Sequence, residues 1–214
     1  VNYKKTHSQT LLPMLDEVVK MTETDLHTID AIAVASGPGS FTGLRIGSAT
    51  AKGLGLALDK PLIPVPTLEG LAYNLCGVSG IVCPIMDARR GQVYTGIYRF
   101  EEGDRLTVLE GQMAVSIEEL GEKLKTYEEK VTFLGDGVPV FRQVLTEQIM
   151  KGCETAFAPA NMNRQRAASV GTLGLLYYKE GKTETAAEHK PDYLRVSQAE
   201  RERKERMEHD SVSM

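Results

Sequence analysis

Between Ser36 and Leu58 the chain reads SGPGSFTGLRIGSATAKGLGLAL, with six glycines in one short stretch. An apolar run, Ile29 to Ala35, leads into it, and a helical pattern follows from about Leu44 to Leu58. Strand, glycine turn and helix is the order that aims backbone N–H groups and a positive helix end at a phosphate. A Walker loop, however, needs Gly-Lys-Ser/Thr at the helix entry, and here Gly43 is followed by Leu44 and Arg45. The dinucleotide fingerprint misses as well. Gly37-x-Gly39 is present, but position 42 is Thr and the third glycine comes one residue late; no acidic residue ends the next strand candidate, Pro61 to Val65, to hold a ribose.

The other reactive residue types are scattered. Ser36, Ser40 and Ser48 have no evident base, so no nucleophilic triad is expected. His7, His27, His189 and His209 lack spaced histidine partners, and no metal or other cofactor is expected. Cys76, Cys83 and Cys153 are odd in number and lack zinc spacing, so they read as reduced thiols of a cytoplasmic protein. Asp87, Arg89 and Arg90, in MDARRG, read as a polar hairpin turn with a surface ion pair, and the two arginines are candidates for docking a partner. Gly135-Asp136-Gly137 has the composition of a tight turn.

The elements around these residues alternate. Leu11, Leu12, Met14, Leu15, Val18 and Val19 recur at helical steps, with Pro13 opening or kinking that helix. Ile29 to Ala35 and Pro61 to Val65 read as buried parallel strands, and Thr67 as the cap of a helix running to Cys76. After a break at GVSG, Ile81 to Asp87 and Gly91 to Phe100 form a hairpin-like pair, with Val93, Thr95 and Ile97 on one side and Gln92, Tyr94 and Tyr98 on the other. Ser116 with Glu119 opens a helix as a capping box. A strand with a GDG turn, a helix from Val138 and a helix from Ala167 to Lys179 complete the order. No internal sequence repeat is evident. The pattern is that of an α/β protein in two lobes, with residues 1–78 and 79–195 as the lobes and 196–214 as a charged helix or tail.

The helix after the glycine turn has its own chemistry. Gly43, Gly47, Ala51 and Gly55 fall four apart, and Ile46, Ala49, Leu54 and Leu58 make an adjoining apolar surface. Interior glycines at 47, 53 and 55 cost about 1 kcal/mol each relative to alanine. Close approach of a second helix compensates such a cost, because small residues let two backbones meet. The Leu11 to Val19 helix is the natural neighbour, and Leu11, Leu12, Leu15, Val18, Gly43, Ile46, Gly47, Ala51, Leu54 and Gly55 are the candidate interface residues.

The totals narrow the class. A chain of 214 residues with formal net charge −4 and pI near 5.7 has no basic excess with which to hold nucleic acid by its own field. No apolar run is long enough to cross a bilayer. The sequence opens without an initiator Met and runs almost at once into a helix, so the beginning of the protein is expected to be missing.

SGPGSFTGLRIGSATAKGLGLAL, together with HSQTLLPMLDEVV, MDARRGQVY and PDYLR, resembles the bacterial TsaB (YeaZ) family, from His7 to about Arg195. The resemblance implies a two-lobed, ribonuclease-H-like fold of the actin-like, sugar-kinase and heat-shock ATPase superfamily, here without its first strands. It implies a non-catalytic subunit that pairs with TsaD, the related transferase that threonylcarbamoylates the adenosine beside the anticodon of tRNAs reading A-starting codons. TsaE joins that complex, tRNA is met only indirectly, and the contact is a bundle of the first two helices of each partner. The catalytic relative holds a metal through two histidines four apart; here His7 is matched by Leu11. Superfamily ATPases follow the strand-end acid with glycines, where this chain has Ala88, Arg89 and Arg90. Two alternatives stand beside this reading: a nucleotide-dependent phosphotransferase, and a self-contained homodimer.

Overall fold

The computed structural model describes residues 7–102 and 104–194. Two sheets organise them. The first holds β1 (Ile32–Gly37) and β2 (Leu62–Pro66), parallel and joined through α2 (Phe41–Leu58). α1 (His7–Thr22) precedes β1 and lies alongside α2, with Pro13 inside the helix. The second sheet has the order β5-β4-β3-β6-β7, made of β3 (Ile81–Asp87), β4 (Gln92–Glu101), β5 (Arg105–Ser116), β6 (Val131–Leu134) and β7 (Thr155–Phe157). β3, β4 and β5 form an antiparallel meander, and β6 and β7 run parallel to β3.

The local reasons are readable. Ser40 caps α2 by accepting from Gly43 N at 3.4 Å, and Ser116 caps α4 (Ile117–Lys125) by accepting from Glu119 N at 3.0 Å. β4 lies inside the sheet between β5 and β3, and core clusters cover both of its faces. Val93 and Ile97 pack into the core under α4 and α5 (Val138–Val144), while Tyr98 packs with Leu68, Leu71 and Leu75 on the opposite face. α5 continues into a π-helical turn, Leu145–Ile149.

Several expectations change. Thr67 is the first residue of α3 (Thr67–Ala72) and does not cap it; its hydroxyl instead accepts from Gly37 N at 3.1 Å. β5 and β7 are additional strands. β5 is an edge strand of mixed polarity, and β7 is only three residues long, so neither carries a period that stands out. β1 is mostly half-buried, not covered on both sides. The sheet changes after the 77–80 break, and α6 (Ala167–Lys179) returns to pack on β1 and β2, with Phe100 and Leu106 of the second sheet against the same cluster. Residues 1–6 and the charged run from 195 onward lie outside the described residues.

A repeat appears in space that the sequence hides. β1, a Gly-Pro-Gly turn, α2 and β2 have the same order as β6, a Gly-Asp-Gly turn, α5 and β7. Gly37 (φ +129) and Gly135 (φ +110) start the two turns, and at each a methyl group would overlap a crossing backbone carbonyl, that of Asp192 at Gly37 and that of Ile85 at Gly135.

Candidate functional site

That pair of crossings answers what the glycine turn is for. Gly37 is glycine because a neighbouring backbone passes over it, and three of the amides around the turn have acceptors within the chain. Gly37 N donates to Thr67, Gly43 N to the Ser40 hydroxyl, and Leu44 N to the Ser40 carbonyl at 2.8 Å. Asp192 N donates to Ser36 O at 2.6 Å. Gly135 N donates to the Asn163 side chain at 2.8 Å and Gly137 N to Ile85 O at 3.0 Å, so the GDG turn is likewise closed onto its own fold.

Other reactive types fare similarly. Asp87 accepts from Arg89 N at 2.8 Å and pairs with the exposed Arg89 guanidinium at 3.3 Å, while Asp87 N donates to Asp136 at 3.3 Å. Arg89, Arg90 and Gly91 all have positive φ, a left-handed turn that points both arginines outward. Ser36 and Ser48 are buried. Among the described residues, no group of three or more His, Cys, Asp or Glu side chains is placed to hold a metal ion. His189 is 1 % exposed, its Nδ1 hydrogen-bonded to Glu184 and its Nε2 without a partner. The pair is made by local chain reversal, which spacing alone does not signal.

The surface that stands out is helical. On α1, Leu11, Leu15 and Val19 form a half-buried row, while Leu12, Met14, Val18 and Met21 are exposed, Met21 at 82 %. On α2, Thr42, Arg45, Ala49, Gly53 and Leu56 are exposed on one flank, with Leu56 at 73 %, and Ile46 borders them half-buried. An alanine methyl at Gly47 or Gly53 would find no atom within 4 Å. Exposed apolar side chains on α1, Met14, Val18 and Met21 on one flank and Leu12 on the other, stand on a helix packed beside α2 with its exposed Ala49 and Gly53, a surface of the kind that marks an interaction site.

The expected stripe needs correction at its far end. Ala51 is buried with Leu62 and Ala186, and a methyl at Gly55 would lie 3.0 Å from Lys60 O and 3.1 Å from Leu62. These two residues pack within the chain and are closed to a second helix. A four-residue step overshoots one helical turn by about 40°, so three steps carry the stripe through about 120°. Gly43 is exposed, Gly47 and Leu54 are half-buried, and Gly55 faces inward. Gly53, Leu56, Met14 and Met21 were not among the candidates; exposure, not spacing, identifies them. At the start of α2, Phe41 packs at a tilt against Tyr193 (centroids 4.8 Å apart) and carries Arg45 at 4.0 Å over its ring.

Comparison with known proteins places this arrangement. The chain is 35% identical over 197 residues to the tRNA threonylcarbamoyladenosine biosynthesis protein TsaB of Bacillus subtilis, covering 92% of this chain and 83% of that protein. The chain belongs to the TsaB family. The TsaB of Escherichia coli is 30% identical over 195 residues, covering 89% of this chain and 81% of that one. The family model of TsaD, tRNA N6-adenosine threonylcarbamoyltransferase, matches residues 2–203, so TsaB membership lies within a wider TsaD-like family. A solved structure of YeaZ from Pseudomonas aeruginosa superposes with a TM-score of 0.73 at 25% identity, covering 89% of this chain and 85% of that one. The α/β fold with its ribonuclease-H-like second sheet is thus that of TsaB and YeaZ, as the resemblance implies. No helix among the described residues is long and apolar enough to cross a membrane.

Proposed function

We propose that this chain acts in tRNA threonylcarbamoyladenosine biosynthesis as a non-catalytic docking subunit whose α1–α2 face binds the related transferase TsaD. The function in threonylcarbamoyladenosine synthesis follows from TsaB membership. The docking role rests on one observation: Leu12, Met14, Val18 and Met21 are exposed on α1, which packs beside α2, where Gly47 and Gly53 leave open space. An apolar helix face beside small residues lets a partner helix approach closely. TsaE joins through the assembled pair, tRNA is reached through TsaD, and the compartment is the cytoplasm. The absence of catalysis is supported by the Gly37 and Gly43 amides being hydrogen-bonded within the chain and by the pairing of Asp87 with Arg89.

Co-purification tests the docking. Met14→Glu with Gly53→Leu should abolish co-elution with TsaD while the second sheet stays folded; a double variant that still co-elutes defeats the proposal. Calorimetry with magnesium ATP should show no binding by the isolated chain. Because the same face is available to a second copy, the isolated chain is expected to self-associate weakly, and TsaD should displace that pairing.

A further inference from the structure

We infer that residues 183–193 form a strap that holds α2 in place and closes the glycine turn, so that the outward flank of α2 is presented as a rigid surface; its consequence for docking rests on the function proposed above. The strap is anchored along its length. Glu184 exchanges both backbone hydrogen bonds with Leu62 of β2, each 2.9 Å. Ala186, 6 % exposed, packs with Ala51 and Leu62 and stands against the bare backbone of Gly55. Lys52 on α2 donates to His189 O at 3.1 Å. Asp192 N donates to Ser36 O and its carbonyl passes over Gly37, and the Tyr193 ring packs against Phe41.

These contacts reach α2 at Phe41, Ala51, Lys52 and Gly55, from its first turn to its last. α2 needs them. Its buried residues are Ser48, Ala51 and Gly55, which offer little apolar area to a two-stranded sheet, and its interior glycines weaken the helix itself. The strap is itself braced. Glu188 accepts from Thr185 N and Oγ1 at 2.9 and 2.8 Å and returns a bond from its own N–H to the Thr185 hydroxyl, and His189 is tied to Glu184. A self-braced turn pinned at both ends is a fixed part of the fold. It also explains where the far end of the glycine stripe is spent: Ala51 and Gly55 are small so that the strap fits beneath α2.

Ala186→Leu in the full chain tests this, because the larger side chain has no room beside Gly55. Hydrogen exchange should become about tenfold faster or more across residues 41–58, with β3 and β4 amides unchanged, since a local opening is released without global unfolding. Affinity for the partner proposed above should fall with it. Wild-type exchange across α2, with the amides of Glu184 and His189 made fast, overturns the strap. If Ala186→Leu speeds β3 and β4 too, Lys52→Met with Tyr193→Ala cuts two side-chain anchors and is judged by the same criterion. A loosened α2 with unchanged partner affinity overturns the docking consequence. The exchange measurement needs no partner, so failure of wild-type chain to bind TsaD counts against the proposed function and not against the strap.

Discussion

Gly53 and Gly55 stand two residues apart on α2 and face opposite environments: an added methyl meets nothing within 4 Å at Gly53, and at Gly55 it meets Lys60 O at 3.0 Å and Leu62 at 3.1 Å. The same substitution therefore has opposite signs. Gly53→Ala should raise the stability of the isolated chain by up to about 1 kcal/mol through helix propensity alone. Gly55→Ala should lower it, since a backbone oxygen cannot move aside as a flexible side chain can. Urea titrations of the two variants check this, and equal effects would contradict the inward drift of the stripe.

Tyr177 donates to the Glu69 carboxylate between α6 and α3. Burial holds the Glu69 carboxyl above its ordinary value of 4.5, although the Tyr177 hydrogen bond and Lys182 pull it down. An acid raised on folding contributes stability that is full below 4.5 and is lost as pH rises through the folded value. Glu69→Gln keeps an acceptor for Tyr177 and removes the titration. The variant should gain on the wild type as pH rises through the acid range and hold that gain at neutral pH; a stability difference independent of pH would contradict the burial effect.

Tyr98 is fully buried and its hydroxyl has no partner. Its ring end fills the space over Gly96, where a methyl would lie 2.7 Å from Cζ. Burial pushes the phenol up, and the neighbouring Glu69 adds to it. Tyr98→Phe removes an unsatisfied polar group and keeps the ring, so the variant should be more stable by about 1 kcal/mol. A loss of stability in thermal melts would show that the hydroxyl has a partner after all.

The three free cysteines should separate by reactivity. Cys83 is fully buried, and burial pushes its thiol up to about 12 against the smaller opposing effect of Thr95. Cys76 is exposed. Under native conditions iodoacetamide should label Cys76 first and Cys83 only on unfolding. Early labelling of Cys83 in a peptide map would contradict the closed core under β3.

Much of the local structure was legible in the chain. The Ser116 cap and the bounds of α6 are set by composition within one turn of helix, and the alternation of Val93, Thr95 and Ile97 against Tyr94 and Tyr98 assigns the two faces of β4. β5 and β7 were not legible. An edge strand of mixed polarity and a three-residue strand gain their hydrogen bonds from neighbours far away in sequence.

By itself the sequence determined that a strand, a glycine turn and a small-residue helix follow one another, and that the turn lacks the residues a phosphate site needs. Local propensity and spacing suffice for that, because each involves residues within a few positions of one another. Only the tertiary structure decided which flank of α2 faces out. That depends on where Ala186 packs against it, more than a hundred residues later, and no periodicity within the helix encodes a contact made by another part of the chain.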